Sequence, residues 1–348
     1  MDKKIHFPVK EKLKNYLLLY NRVTNLPVSY NDLMHYNHSF PIIDKKGKDT
    51  LWESVMYDSE TTSILSKGLT SIYSLLKTEG DISVMEHLQV ERIDYCTFGN
   101  SNPFKIRIVN QLNDNFDHFY VKKADASRIY GLELEDLLSP NRINYLVDEN
   151  TLIEEHIAGI PGDVFINEHL NRPQTNKVRI AKEFVKFNER CFVRLLGDMR
   201  SYNYVIDITP DFEEEQYRIR AIDFDQQSYE GNKSFYLPQF FKENNAFVQM
   251  CIDLMTPETF KQYQLEERSL IARRLRTEKY KVKDLLDCMR KDEISTREKV
   301  FQLKNELSKH HGDEKFLNCN NMGDIARANM LALLKISKNS KSTSHTHY

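Results

Sequence analysis

The stretch Gly197-Asp198-Met199-Arg200-Ser201-Tyr202-Asn203 is followed, about twenty residues on, by Ala221-Ile222-Asp223-Phe224-Asp225. Each cluster comes after a hydrophobic run. In the second, Ile219, Ala221 and Ile222 approach Asp223 as a strand, and Phe224 follows as an apolar anchor. A carboxylate that ends an apolar strand is costly to bury unless it is paired or holds a cation. Together the clusters can supply a base in Asp198, hard oxygen ligands in Asn203 and Asp223, and a cation with fixed donor geometry in Arg200. Taken singly, Asp198 reads as an exposed loop acid, Asn203 as a turn residue and Arg200 as half of a surface salt bridge. Asp225 fits a second metal ligand or a cap on the following turn equally well. The order of these residues along the chain is what gives them joint meaning.

Working upstream, the periodicity over 90–155 is that of strands, with β-branched and aromatic residues alternating between turn formers. Strands are expected over 90–97 and 104–109, joined by the turn Gly99-Asn100-Ser101-Asn102-Pro103. A third runs through Phe119, Tyr120 and Val121 and ends at Lys122-Lys123, after the turn Asn113-Asp114-Asn115. Only one of those two lysines can share a sheet face with its functional neighbours. A short helix around Glu133, Glu135 and Leu138 precedes two further strands over 142–147 and 151–157. The apolar strand then gives way to Gly159, Pro161 and Gly162. A helix over 177–193 carries Ile180, Phe184, Phe187 and Cys191 on one side and delivers the chain to Gly197-Asp198.

In this order the segments resemble the protein-kinase-like superfamily over roughly residues 90 to 260, in the style of its bacterial and aminoglycoside-phosphotransferase members. The resemblance implies an α+β, two-lobed fold: a small antiparallel-sheet lobe over 89–157 and a large helical lobe over 158–336. A helical extension over 1–88 and a disordered tail over 337–348 lie outside it. It further implies ATP and Mg²⁺, with Asp198 as catalytic base and Arg200 toward the transferring phosphoryl group. Asn203, Asp223 and Asp225 would hold metal. Lys122 would meet the α and β phosphates, oriented by Glu133 or Glu135, under a turn that contains Gly99. Backbone groups of Glu155 and Ile157 would read the adenine edge. The chain departs from the pattern in three places: Leu196 stands where a His is usual, Gly99 replaces a glycine-rich run, and the acidic insert 211–216 lengthens the span from Asn203 to Asp223. A hairpin tip tolerates such an insertion.

The remainder sets bounds. With 348 residues the chain is long enough for two cores. Its 49 Lys and Arg against 51 Asp and Glu leave no global field that would favour nucleic acid or an anionic membrane. The basic stretch 268–283 is interleaved with acids and reads as a solvated, ion-paired helix face. Five scattered cysteines without metal-type spacing fit a reducing, cytoplasmic compartment. No eighteen-residue apolar window is present. In the first eighty residues, a helix from Asp58 or Ser59 repeats Leu65, Leu69, Ile72 and Leu76 at helical spacing, and that face needs a partner. A second helix is expected to start at Thr256-Pro257-Glu258, with a cap, a first-turn proline and an acid at the positive end.

The expectation is therefore an ATP- and Mg²⁺-dependent phosphotransferase acting on a small-molecule hydroxyl or a protein Ser or Thr. The alternatives are a nucleotide-binding pseudokinase or scaffold without turnover, and a nucleotidyl transferase on the same fold.

Overall fold

Phe104, Ile106 and Ile108 alternate with polar neighbours, and all three are buried in the computed structural model. Their strand is the middle of a seven-stranded antiparallel sheet. The structure describes residues 4–44, 46–78, 86–211 and 214–339. They fall into two compact units: 1–126 with 143–156, and 127–142 with 157–348.

In the first unit α1 (Glu11–Leu19) and α2 (Tyr30–Leu33) precede β1 (His38–Ile43) and β2 (Asp49–Met56). Then come α3 (Ser59–Thr78), β3 (Leu88–Cys96), β4 (Phe104–Asn110) and β5 (Phe116–Lys123). The strands β6 (Tyr145–Asp148) and β7 (Thr151–Glu155) complete it. The sheet order is β1-β2-β3-β4-β5-β7-β6. The face of α3 predicted from its spacing, Leu65, Leu69, Ile72 and Leu76, packs with Ile93, Phe104, Ile106, Ile108, Phe119, Val121 and Ile153 in one apolar core. The helix is thus the cover of its own sheet.

The stretch expected to be a helical extension contributes two strands, and the sheet grows from five strands to seven. Both added strands are exposed along much of their length, with Phe40 at 56 % and Met56 at 54 %. An exposed outer strand lacks the strict alternation that marks a half-buried one, and Pro41 in β1 is tolerated because an edge strand need not donate on both sides.

The second unit begins with the body of α4 (Ala126–Leu138), whose residues from Ser127 onward group with the helical part of the chain and not with the sheet. A three-stranded sheet of β8 (Ile160–Pro161), β9 (Tyr204–Asp211) and β10 (Glu214–Ala221) follows, in the order β10-β9-β8. The hairpin β9–β10 holds the acidic insert, and its tip at 212–213 lies outside the described residues. Around it stand α5 (Gly162–Val164), α6 (Lys177–Arg194), α7 (Asn245–Leu254), α8 (Pro257–Thr277), α9 (Lys279–Met289), α10 (Arg297–His311) and α11 (Met322–Asn339).

The expected side of α6 is its buried side: Ile180, Phe184, Phe187 and Cys191 are each at most 2 % exposed. Thr256 caps α8 by accepting from the Thr259 N–H. The helix α11 ends at Asn339, and 340–348 of the expected tail lies outside the described residues. Among the described residues no helix is long and apolar enough to cross a membrane. The α+β class with an antiparallel sheet and a helix-rich remainder is as the sequence implied.

Candidate active site

The helix α6 ends at Leu195, which takes the left-handed conformation with φ 55°. That turn aims the chain back along residues 226–227, where Leu196 and Gln227 form an antiparallel bridge. The Gly197 N–H donates to the Gln226 carbonyl at 3.2 Å, and a Cβ at position 197 would stand 2.9 Å from the Phe235 ring and 3.1 Å from that carbonyl oxygen. Glycine is what lets the two strands of chain approach here. Asp198 follows with φ 59°, a conformation that Asp adopts more readily than most residues, and its N–H donates to Phe235 O at 3.1 Å.

The Asp198 carbonyl is a local hub. It accepts from the Arg200 N–H at 2.8 Å and from the Asn203 side-chain amide at 2.7 Å. Fixing the amide nitrogen inward leaves Asn203 Oδ1 as the atom able to face a ligand. The hairpin register begins one residue later, Tyr204 opposite Ala221, and the Ile222 N–H donates to Asn203 O at 3.0 Å. This register sets Asn203 beside the start of Asp223-Phe224-Asp225. The two acidic clusters that sequence order linked are neighbours because β9 and β10 pair without slippage.

Asp198 is partly buried, and Arg200 Nε donates to its Oδ1 at 2.8 Å. Burial raises the Asp198 carboxyl above the ordinary aspartate range; the Arg200 guanidinium opposes the shift, and the nearby negative charges of Asp223 and Glu243 add to it. Arg200 also donates through Nη1 to Glu243 Oε1 at 2.9 Å and stacks 5.1 Å from the Phe241 ring centre. Glu243 and Phe241 were not legible as site neighbours, because they come from the segment before α7 with no spacing pattern of their own. Phe224 is 1 % exposed, the buried anchor that its apolar character implied.

Asp223 and Asp225 do not face solvent alike. The Asp223 side chain is 33 % exposed and that of Asp225 is 8 %. Both accept from Nη1 of Arg128 in α4, a residue the sequence reading did not single out. The signal that could have found it is the composition of α4, apolar on nearly every face, which forces its charged residues into the interior.

The helix-borne acids also have partners that spacing does not reveal. Glu135 is fully buried, bound to Arg194 and accepting from the Asn141 amide at 2.9 Å. Burial alone would push its carboxyl up, but Arg194 and hydrogen bonds from Ser139 and Asn141 hold it below the usual range. Glu133 lies 3.4 Å from Lys281 Nζ. Glu135 is thus a buried anion held by Arg194 and Asn141 within the helical unit.

In the sheet unit, Lys122 is buried and Lys123 exposed. Lys122 Nζ donates to Glu154 Oε2 at 2.8 Å; the register sets Glu154 opposite Tyr120, two residues away and on the same face. Gly99 occupies the β3–β4 turn with φ 103°, a conformation that favours glycine, and its Cβ position meets open space. The Glu155 N–H donates to Asn144 O at 3.1 Å. Ile157, in the second unit, is 8 % exposed.

In the basic stretch, Arg268 binds Glu189 at 2.7 Å and Lys283 binds Asp287 at 3.0 Å, the ion-paired reading of that segment. Among the described residues no group of three or more His, Cys, Asp or Glu side chains is placed to hold a metal ion. Any ion at Asn203 and Asp223 would therefore draw its remaining ligands from substrate and water, which suits Mg²⁺ and its preference for few protein ligands.

No protein-family model matches the chain, and no curated protein matches its sequence. Among solved structures it is similar to the autoinhibited serine kinase domain of the giant muscle protein titin, at 14 % identity over 70 % of this chain and 92 % of that one, with a TM-score of 0.27. A structure of titin kinase and its flanking domains matches at 15 % identity over 68 % of this chain and 51 % of that one, with a TM-score of 0.25. Both contain a kinase domain. Scores of this size do not establish a common fold.

Proposed function

We propose that this protein is an ATP- and Mg²⁺-dependent phosphotransferase whose acceptor is a hydroxyl group of a small molecule or of a protein Ser or Thr. The observation that carries the reading is the junction at Asn203: its amide is fixed by Asp198 O, its carbonyl by Ile222 N, and one residue beyond lies Asp223. Three groups of the required kinds are thereby ordered by backbone contacts. When bound, Mg²⁺-ATP supplies the transferable phosphoryl group and the charge neutralisation that lets it leave.

The chain's own residues do the rest. Asn203 Oδ1 and the Asp223 carboxylate offer oxygen ligands. Asp198 accepts the proton of the incoming hydroxyl and orients its oxygen, and a carboxyl raised by burial is a better base than an exposed aspartate. Arg200 holds the Asp198 carboxylate in place from one side and is itself held by Glu243, so its first task is to position the base. The likeness of strand β5 to the kinase pattern assigns Lys122 to the nucleotide phosphates.

The test is transfer of label. Incubation with γ-labelled ATP, Mg²⁺ and hydroxyl acceptors, alone and with the protein itself as acceptor, is expected to give labelled product that is lost in Asp198→Asn. Label from α-labelled ATP on the acceptor would show nucleotidyl transfer instead. Binding of Mg²⁺-ATP without transfer or hydrolysis across the panel would show a pseudokinase.

A further inference from the structure

One buried cation stands behind the acidic pair. The Arg128 side chain is 2 % exposed, and its Nη1 lies 2.8 Å from Asp223 Oδ1 and 2.7 Å from Asp225 Oδ1. Asp223 Oδ1 receives a second donor, the Asp225 N–H, at 3.1 Å. Of the two carboxylates Asp223 is the more open, with its side chain 33 % exposed against 8 % for Asp225.

The first turns of α4 are locked against the same segment. Ser127 Oγ donates to Gln227 O at 2.8 Å, and a Cβ on Gly131 would stand 3.0 Å from Phe224 Cβ and 3.1 Å from Gln227 Cβ. Helix and acidic segment have no room to slide past one another, so Arg128 is held as firmly as the carboxylates it binds. Asp225, by contrast, is nearly enclosed. For Asp225 to ligate a metal it would have to leave a buried guanidinium, and breaking a buried ion pair from one side is strongly destabilising.

We propose that Arg128 is the positioning residue of the metal-facing carboxylate: it pins Asp223 Oδ1 and holds the enclosed Asp225 as a counter-ion, so the site has one ligating aspartate and not two. This rests on the reading of Asp223 as a Mg²⁺ ligand. It assigns the two aspartates different work, although they stand two residues apart. Partners behind a metal ligand commonly govern metal affinity or activity by about 10- to 100-fold.

The experiment is calorimetric titration of ATP into the full chain, once with Mg²⁺ and once with EDTA, on the wild type and on Asp223→Asn, Asp225→Asn, Arg128→Lys and Arg128→Met. Asp223→Asn is expected to lose the Mg²⁺-dependent part of the affinity. Asp225→Asn keeps an oxygen for Arg128 and is expected to lose at least about tenfold less than Asp223→Asn, within the range quoted for such partners. Arg128→Met is expected to weaken Mg²⁺-ATP by about 10- to 100-fold with ATP binding in EDTA unchanged, and Arg128→Lys to recover part of the loss. Should Arg128→Met fail to fold, the double variant Arg128→Met with Asp225→Asn removes both charges of the buried pair and is expected to show the same loss. Equal losses in Asp225→Asn and Asp223→Asn would overturn the proposal, as would wild-type affinity in the double variant. Wild-type affinity in Asp223→Asn would instead overturn the metal-site reading beneath it.

Discussion

Asp198→Asn separates the proposed role of this residue as a base from its structural one. Asparagine is isosteric, its Oδ1 can still accept from Arg200 Nε at the present 2.8 Å, and Asn tolerates the left-handed φ of 59°. The backbone contacts of residue 198, to Phe235 O, Arg200 N and the Asn203 amide, do not involve the carboxylate. Folding should therefore be nearly untouched. A positioned general base contributes about 10²- to 10⁴-fold in rate, which at roughly 1.36 kcal/mol per decade is about 2.7 to 5.4 kcal/mol of barrier.

The assay is coupled ADP release with an acceptor found by label transfer, with ATP affinity as the control. The expected result is a fall in kcat in that range at unchanged ATP affinity. The pH profile adds a second readout. Because burial raises the Asp198 carboxyl, the wild-type rate should fall as pH drops through a value above the ordinary aspartate range, and the variant should lack that limb. The stability linkage has the opposite sense: a carboxyl raised in the fold favours folding while protonated, and that contribution is lost as pH rises through the folded value. Asp198→Asn should remove the loss. Turnover within about threefold of wild type, far short of the loss of a base, would refute the assignment.

Two further predictions concern the scaffold. Arg194→Met leaves the fully buried Glu135 without its principal cation and should cost about 3 to 5 kcal/mol of stability, read as the shift of a denaturant midpoint; adding Glu135→Gln should recover part of it. A midpoint unchanged by Arg194→Met would show that the pair carries no net weight. Leu69→Ala, in the centre of the α3 face and fully buried, should cost about 2 to 5 kcal/mol in the sheet unit, measured by far-ultraviolet circular dichroism on denaturation. A loss below about 1 kcal/mol, under the range for such a truncation, would mean that α3 is not the cover of the sheet core.

What could be read from the sequence was whatever leaves a periodic trace. The helices α3, α6 and α8 declare themselves by an apolar stripe or a cap, and β4 by strict alternation. The strands β1 and β2 escaped because they lie at the exposed side of the sheet, where one face makes few apolar demands and Pro41 suggests a break. The acidic clusters were visible as motifs, and their adjacency follows from the β9–β10 register. Their partners were not visible. Arg128 is about a hundred residues before the aspartates it binds, Glu154 meets Lys122 through cross-strand register, and Arg194 of α6 meets Glu135 of α4 from a distant part of the chain. Ion pairs of that kind depend on tertiary placement and leave no spacing signal.

If Asp223 belongs to a Mg²⁺-nucleotide site, metal-dependent nucleotide binding must depend on its carboxylate. Thermal unfolding of the full chain with ATP, in Mg²⁺ and in EDTA, tests it on the wild type and on Asp223→Ala. Ligand at about 100 times its dissociation constant stabilises the folded state by about 2.7 kcal/mol. The wild type should show an upward shift of the melting temperature in Mg²⁺-ATP that EDTA largely removes, and Asp223→Ala should show little difference between the two conditions. An equal Mg²⁺-dependent shift in Asp223→Ala and wild type would show that Asp223 holds no metal there.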